Sequence, residues 1–182
     1  SMARLLGIHV KNYRALADVR LGRVQYGNGT PLPRLTCLIG PNGSGKSTVL
    51  DAFGFVADCL LDGVEAACDK PWRGGFDRLR TQGEKGPISF EIFFEADDPA
   101  RPIVYQLLVD IVDGVPAAVE ETCRQRREGE TRGKPYYFLK LKKGKGKVWS
   151  GQAVGEATES RLSQTVVLAD LDKLGIATLG NL

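Results

Sequence analysis

Residues 40–48 read Gly40-Pro41-Asn42-Gly43-Ser44-Gly45-Lys46-Ser47-Thr48 and satisfy the pattern G-x-x-x-x-G-K-[ST] in full. No other feature constrains the fold as much, because such a loop works only between a strand that feeds it and a helix that leaves it. Glycines at 40, 43 and 45 permit a tight concave turn in which successive N–H groups point inward. Donors so arranged, at the positive end of a helix dipole, form a site for phosphate oxygens. Lys46 adds a mobile positive charge for the β- and γ-phosphates, and the Ser47 hydroxyl is placed to ligate Mg²⁺. Asn42, Gly43, Ser44, Gly45, Lys46, Ser47 and Thr48 are therefore the expected contacts to ATP, with Ser47 also at the metal.

Both required flanks are legible. Leu35-Thr36-Cys37-Leu38-Ile39 is a short apolar run with the character of a buried strand. From Lys46 onward, Val49, Phe53, Val56 and Leu60 recur at helical spacing, and Leu50, Ala57 and Leu61 widen the same face.

At 182 residues the chain is read as one domain, long enough to bury a core. It holds no apolar stretch of bilayer-spanning length and no amino-terminal apolar signal segment, so the expected compartment is the cytoplasm, with no membrane partner. Cys37, Cys59, Cys68 and Cys123 form no C-x-x-C pair and His9 is the single histidine, which argues against a zinc site or a disulfide framework. Net charge is +3 but uneven. The window from Arg124 to Lys147 holds ten basic residues against Glu128 and Glu130, so it carries +8 and the remainder −5. The contrast predicts one basic projection on a mildly acidic body.

Leu6, Ile8 and Val10 alternate with Gly7, His9 and Lys11, predicting an amphipathic strand, with a second over Ala17 to Leu21 and a turn-rich connection from Gly22 to Pro33. Asp69 to Pro87 reads as a surface loop. A β-rich section over residues 88–150 follows, with alternation at Phe90, Ile92 and Phe94 and again at Tyr105, Leu107, Val109 and Ile111. Asp113-Gly114 is a turn before a strand at Val119 to Cys123; Tyr136 to Leu141 is another run, followed by a Gly144-Lys145-Gly146 turn. In that run Tyr137, Leu139 and Leu141 fit a buried face. Glu159 to Leu174 places Leu162, Val166 and Ala169 at helical spacing. One βα unit over residues 6–62 followed by successive antiparallel strands predicts an α/β fold that is not simply alternating.

A GTPase would carry an Asn-Lys-x-Asp guanine-reading motif, and none occurs. A small-molecule kinase would carry an arginine-rich lid, but the basic window is flanked by strand patterns. Leu6 through Leu16, with its Asn12-Tyr13-Arg14 ending, then Leu35–Ile39, the loop, and Asp51-Ala52-Phe53 on the following helix resemble the amino-terminal end of the SMC, RecF and OLD group of ABC-type ATPases, and most closely the RecF-like ATPases of bacteria. The resemblance covers about the first 53 residues. It implies the amino-terminal lobe of an ABC/SMC-head-like P-loop NTPase, with a mixed sheet and an antiparallel section. By the same resemblance Arg14 lies near the nucleotide; an exposed arginine at a strand end is the alternative.

The resemblance also implies parts not recognisable here: a signature motif, a Walker B strand ending in Asp-Glu, and a switch histidine. Ile88–Glu95 ends in an acid but alternates like a half-exposed strand. Val166-Val167-Leu168-Ala169-Asp170 is the better Walker B candidate, although Leu171 stands where a catalytic acid belongs. Gln152 and Gln164 are the available glutamines for an Mg²⁺ contact. The chain is accordingly read as the amino-terminal part of a longer ATPase that forms an ATP-dependent homodimer, with hydrolysis slow or absent here. DNA is a possible partner through the basic hairpin at 124–147. The alternatives are a self-sufficient small NTPase or kinase using Asp170, and a regulatory module that holds nucleotide without hydrolysing it.

Overall fold

The computed structural model describes residues 4–27, 29–149, 163–167 and 174–176. Their strands form one sheet: β1 Arg4–Tyr13, β2 Leu16–Gly22, β3 Ile88–Glu95, β4 Ile103–Val112, β5 Val115–Gln125, β6 Tyr136–Lys142, β7 Lys145–Trp149 and β8 Ser163–Val167, in spatial order β2-β1-β3-β4-β5-β6-β7-β8. Every pairing among them is antiparallel, not mixed. From β3 onward the sheet is a meander, and its tight turns carry the left-handed residues such turns need: Asp113 (φ 50°) and Gly114 (80°), then Lys143 (48°) and Gly144 (73°). The second of these turns sits one residue earlier than the glycine pattern predicts, and Lys145 and Gly146 lie in β7.

Three helices cover one face: α1 Lys46–Asp62, α2 Val64–Cys68 and α3 Phe76–Leu79. The core forms between α1 and the sheet around Tyr13, Phe55 and Phe90, whose ring centroids lie 5.5–5.7 Å apart. Each buried phenylalanine contributes roughly 2–3 kcal/mol through apolar area removed from water. The helix meets the sheet through Ala52, Phe55, Val56 and Cys59, a face rotated from the predicted one. Val49 and Phe53 pack only at its margin, while Leu50, Ala57, Leu60 and Leu61 are exposed. The periodicity misleads because α1 is apolar around most of its circumference, and the sheet takes the side where small Ala52 and Cys59 permit close approach.

The strand β1 is buried on both faces rather than amphipathic. A bulge between Leu5 and Gly7 sends Leu6 to the side opposite Ile8 and Val10, where it joins Phe93 and Val104 under Tyr26. Residue 7 has to be glycine, because a Cβ there would stand 2.0 Å from the Arg23 carbonyl oxygen, where the returning chain crosses β1. The stretch predicted as a surface loop, Asp69 to Pro87, instead contains α3 and buries Arg73, Phe76 and Leu79.

Two further expectations change. Leu35–Ile39 is not a strand: it makes no ladder, and Leu35 and Ile39 are 88% and 91% exposed. A lone extended segment has no partner for its backbone groups, so apolar character alone does not make it a strand. Residues 163–167 are strand, not the predicted helix, because β7 offers an open edge that pairs with them from Lys145↔Val167 to Trp149↔Ser163. Leu162, Ala169, Asp170 and Gln152 lie outside the described residues.

Candidate functional site

The chain enters α1 through a loop whose shape follows from its glycines. Gly43 (φ 84°) and Gly45 (φ 94°) hold left-handed conformations that side chains resist, and Gly45 is the residue that opens α1. No side chain caps that end of the helix, so its first N–H groups remain available to donate hydrogen bonds to an anion. Ser44 N–H bonds back to Pro41 O at 3.2 Å, closing the turn. The Lys46 ammonium folds over the loop, donating to the carbonyls of Gly40 and Pro41, the latter at 3.0 Å. Asn42, Gly43, Ser44 and Ser47 are exposed, and Thr48 is half-buried. The predicted phosphate contacts thus lie on one exposed loop and the first turn of α1, and their donors are of the kind that a triphosphate with its Mg²⁺ takes.

Arg14 is brought toward this end by the hairpin between β1 and β2. Tyr13 pairs with Leu16 across a two-residue turn in which Arg14 is left-handed, with φ 50°. The Leu16 side chain abuts the loop, 3.8 Å from where a Cβ on Gly45 would sit. Arg14 donates to Trp72 O at 2.5 Å and lies 3.8 Å from Asp51 Oδ2. Its N–H bonds to Leu79 O at 2.5 Å and its carbonyl accepts from Thr81 Oγ1 at 2.7 Å. It is a fixed strut between the hairpin, α1 and the segment after α2.

The polar centre behind the loop was not assigned from sequence. Asp51 accepts from the Tyr13 hydroxyl and from Arg73, whose guanidinium also reaches Asp58 Oδ2 at 2.7 Å and Ala67 O at 2.9 Å. The Arg73 side chain is only 2% exposed. Burial pushes the Asp51 carboxyl up, but the hydrogen bonds from Tyr13 and Arg73 and the charges of Arg73 and Arg14 more than offset this and hold it below its ordinary range. The Tyr13 hydroxyl is driven far above its ordinary value, first by burial and then by its bond to Asp51. The signal was present in the pattern: Asp51 and Asp58 stand two turns apart on one side of a mostly apolar helix, and half-buried carboxylates there call for a charged or hydrogen-bonding partner.

A fully buried carboxylate lies further along the sheet, on β5. Glu121 accepts the N–H groups of Gly175 (2.8 Å) and Ile176 (2.6 Å), while Leu174 enters the core. Burial raises its carboxyl above the ordinary range despite those two donors. As for the Walker B candidate, β8 precedes Asp170, but Val167 is 65% exposed at the antiparallel edge, unlike the buried strand such an aspartate requires. Gln164 lies on that same edge strand. Among the described residues no cluster of His, Cys, Asp and Glu could hold a metal, and no helix is long and apolar enough to cross a membrane.

A family model described as "AAA domain, putative AbiEii toxin, Type IV TA system" matches residues 35–153, about two thirds of the chain. Structural maintenance of chromosomes protein 1B of Homo sapiens is 47% identical over 55 residues, which are 30% of this chain and 4% of that protein. Its Mus musculus counterpart is 69% identical over 26 residues, 14% of this chain and 2% of that protein. The chain therefore covers only a few per cent of the length of these relatives.

Proposed function

The chain belongs to that AAA-domain family and carries the amino-terminal motifs of SMC/RecF-like ABC-type ATPases, and we propose that it holds ATP on residues Gly40–Thr48, with Arg14 beside the nucleotide. The observation that carries this reading is the uncapped amino-terminal end of α1 opening directly from the left-handed Gly45, with the Lys46 ammonium resting on loop carbonyls. Backbone donors of the loop would hold the phosphates, Lys46, once released from Gly40 and Pro41, would supply charge to the β- and γ-oxygens, and Ser47 would hold Mg²⁺. The metal, when bound, neutralises phosphate charge. Calorimetric titration with Mg²⁺-ATP tests it: the wild type binds and Lys46→Ala does not, and equal affinities would refute the assignment.

This chain supplies one part of a catalytic site, and the parts that complete hydrolysis come from elsewhere in a longer protein. Two features support that reading. The second apolar side of α1, with Val49, Leu50 and Phe53, borders a cavity of about 460 Å³ also lined by Leu21, Leu32 and Leu38. Beside it the apolar run 35–39 lies exposed and unpaired, as a core strand does without its neighbours. The longer protein pairs two copies around ATP, and its process is DNA maintenance, repair or defence.

A further inference from the structure

We propose that the face of the sheet turned away from α1 binds the phosphate backbone of nucleic acid through a four-lysine block on β6 and β7. The ladder places Lys140 directly opposite Lys147 and Lys142 directly opposite Lys145. Residues two apart on a strand share a face, so all four side chains project together, about 5 Å apart across the strands and about 7 Å along them. All four are exposed, and none forms an ion pair among the described residues. Their counterparts Leu139 and Leu141 fill the core on the other side.

Like charges directly opposite one another destabilise a strand pair, and here two such pairs stand side by side. Glu120, opposite Lys142 on β5, is the one acid in the adjoining row. A polyanion laid over the block relieves this repulsion.

The surface extends beyond the lysines because of one irregularity. The register shifts between Cys123 and Arg124, so Cys123 pairs with Leu139 and Arg124 with Tyr137, leaving Phe138 as the extra residue. Phe138 turns to the core, and Tyr137, expected in the core, moves to the lysine face. There its ring lies 5.0 Å from Lys140 Nζ and 5.9 Å from the Arg124 guanidinium. An aromatic ring flanked by two cations on an open basic face is a feature of nucleic-acid surfaces, where phosphates meet the charges and sugars or bases meet the ring. Contacts to phosphates carry no sequence information, so binding is independent of sequence.

This inference rests on the reading of the protein as a nucleic-acid-associated ATPase, but its test does not pass through the phosphate loop. The experiment is fluorescence-anisotropy titration of a mixed-sequence DNA duplex over a range of salt, with wild type, Lys140→Gln/Lys147→Gln, Lys142→Gln/Lys145→Gln and Lys46→Ala. Wild type is expected to bind with a steep salt dependence. Each double lysine variant is expected to lower the slope of log affinity against log salt by about 2, one per lost contact. Both keep ATP affinity and melt no earlier than wild type, because repulsion has been removed. Lys46→Ala keeps the wild-type salt slope. No duplex binding by wild type, or unchanged slopes in both double variants, overturns the proposal, and neither result bears on ATP binding.

Discussion

The Arg73 guanidinium donates to Asp51 Oδ1 from two nitrogens, Nε at 3.2 Å and Nη2 at 3.1 Å, and Nε also reaches Oδ2 at 3.5 Å. That contact ties the segment after α2 to the second turn of α1, and through Asp51 to Tyr13 on β1. Two stretches distant in sequence are thus fixed against the helix that carries the phosphate loop. Asp51→Ala leaves a buried guanidinium with half its charge compensation and is expected to destabilise by about 3–5 kcal/mol. Tyr13→Phe removes one hydrogen bond and keeps the ring packing, costing about 1 kcal/mol. Urea denaturation of the two variants checks the order, and the larger loss must belong to Asp51→Ala.

Acid tests the same contact with a definite sign. Asp51 has a folded pKa below its unfolded value, so its contribution is present above the ordinary carboxylate range of about 4 and is lost as pH falls through the depressed folded value. Stability measured downward from pH 5 falls for wild type, and Asp51→Asn flattens that fall.

Glu121 acts in the opposite direction. Its folded pKa is raised, so its stabilising share is complete below the unfolded value of about 4 and declines as pH rises through the folded value. Glu121→Gln keeps an oxygen for one of the N–H groups of Gly175 and Ile176 while removing the buried charge. The expected result is a smaller decline in melting temperature between pH 4 and neutrality than in wild type; an identical decline would show that Glu121 does not titrate in that interval.

Lys46→Ala is expected to abolish ATP binding with a change in stability within about 0.5 kcal/mol, because the ammonium contacts only loop carbonyls and not the core. Thermal melts with and without Mg²⁺-ATP read both quantities: the apo melts coincide and only wild type shifts upward with ligand.

Gly45→Ala is expected to weaken ATP more than it weakens the fold. At φ 94° a methyl group costs about 1–2 kcal/mol, and relieving the strain turns the first N–H groups of α1 away from the phosphates. The comparison to make is calorimetric affinity against denaturation midpoint; an unchanged affinity would mean that the left-handed turn is not needed for binding.

The features readable in advance were those set by local chemistry. The loop with its helix, the hairpin turn at Asp113-Gly114 and the alternating strands after Ile88 follow from glycine positions and period-two patterning. What escaped depends on neighbours. The strand at 163–167 exists because β7 has a free edge, and Leu35–Ile39 lacks strand form because nothing pairs with it. The burial of Arg73 requires knowing that Asp51 and Asp58 face it. Tyr137 was assigned to the core because alternation counts residues, and a single extra residue at Phe138 shifts the count by one.

The exposed run from Leu35 to Ile39 has a practical side for handling the protein. Five consecutive uncharged residues rich in β-formers, with unpaired backbone and an exposed thiol at Cys37, are an adhesive strip. Two molecules meeting there can zip edge to edge and then cross-link through Cys37 in air. Solutions of this chain should therefore turn turbid or dimerise covalently with concentration and age, and a reductant together with one charged substitution in the strip is the remedy to try first.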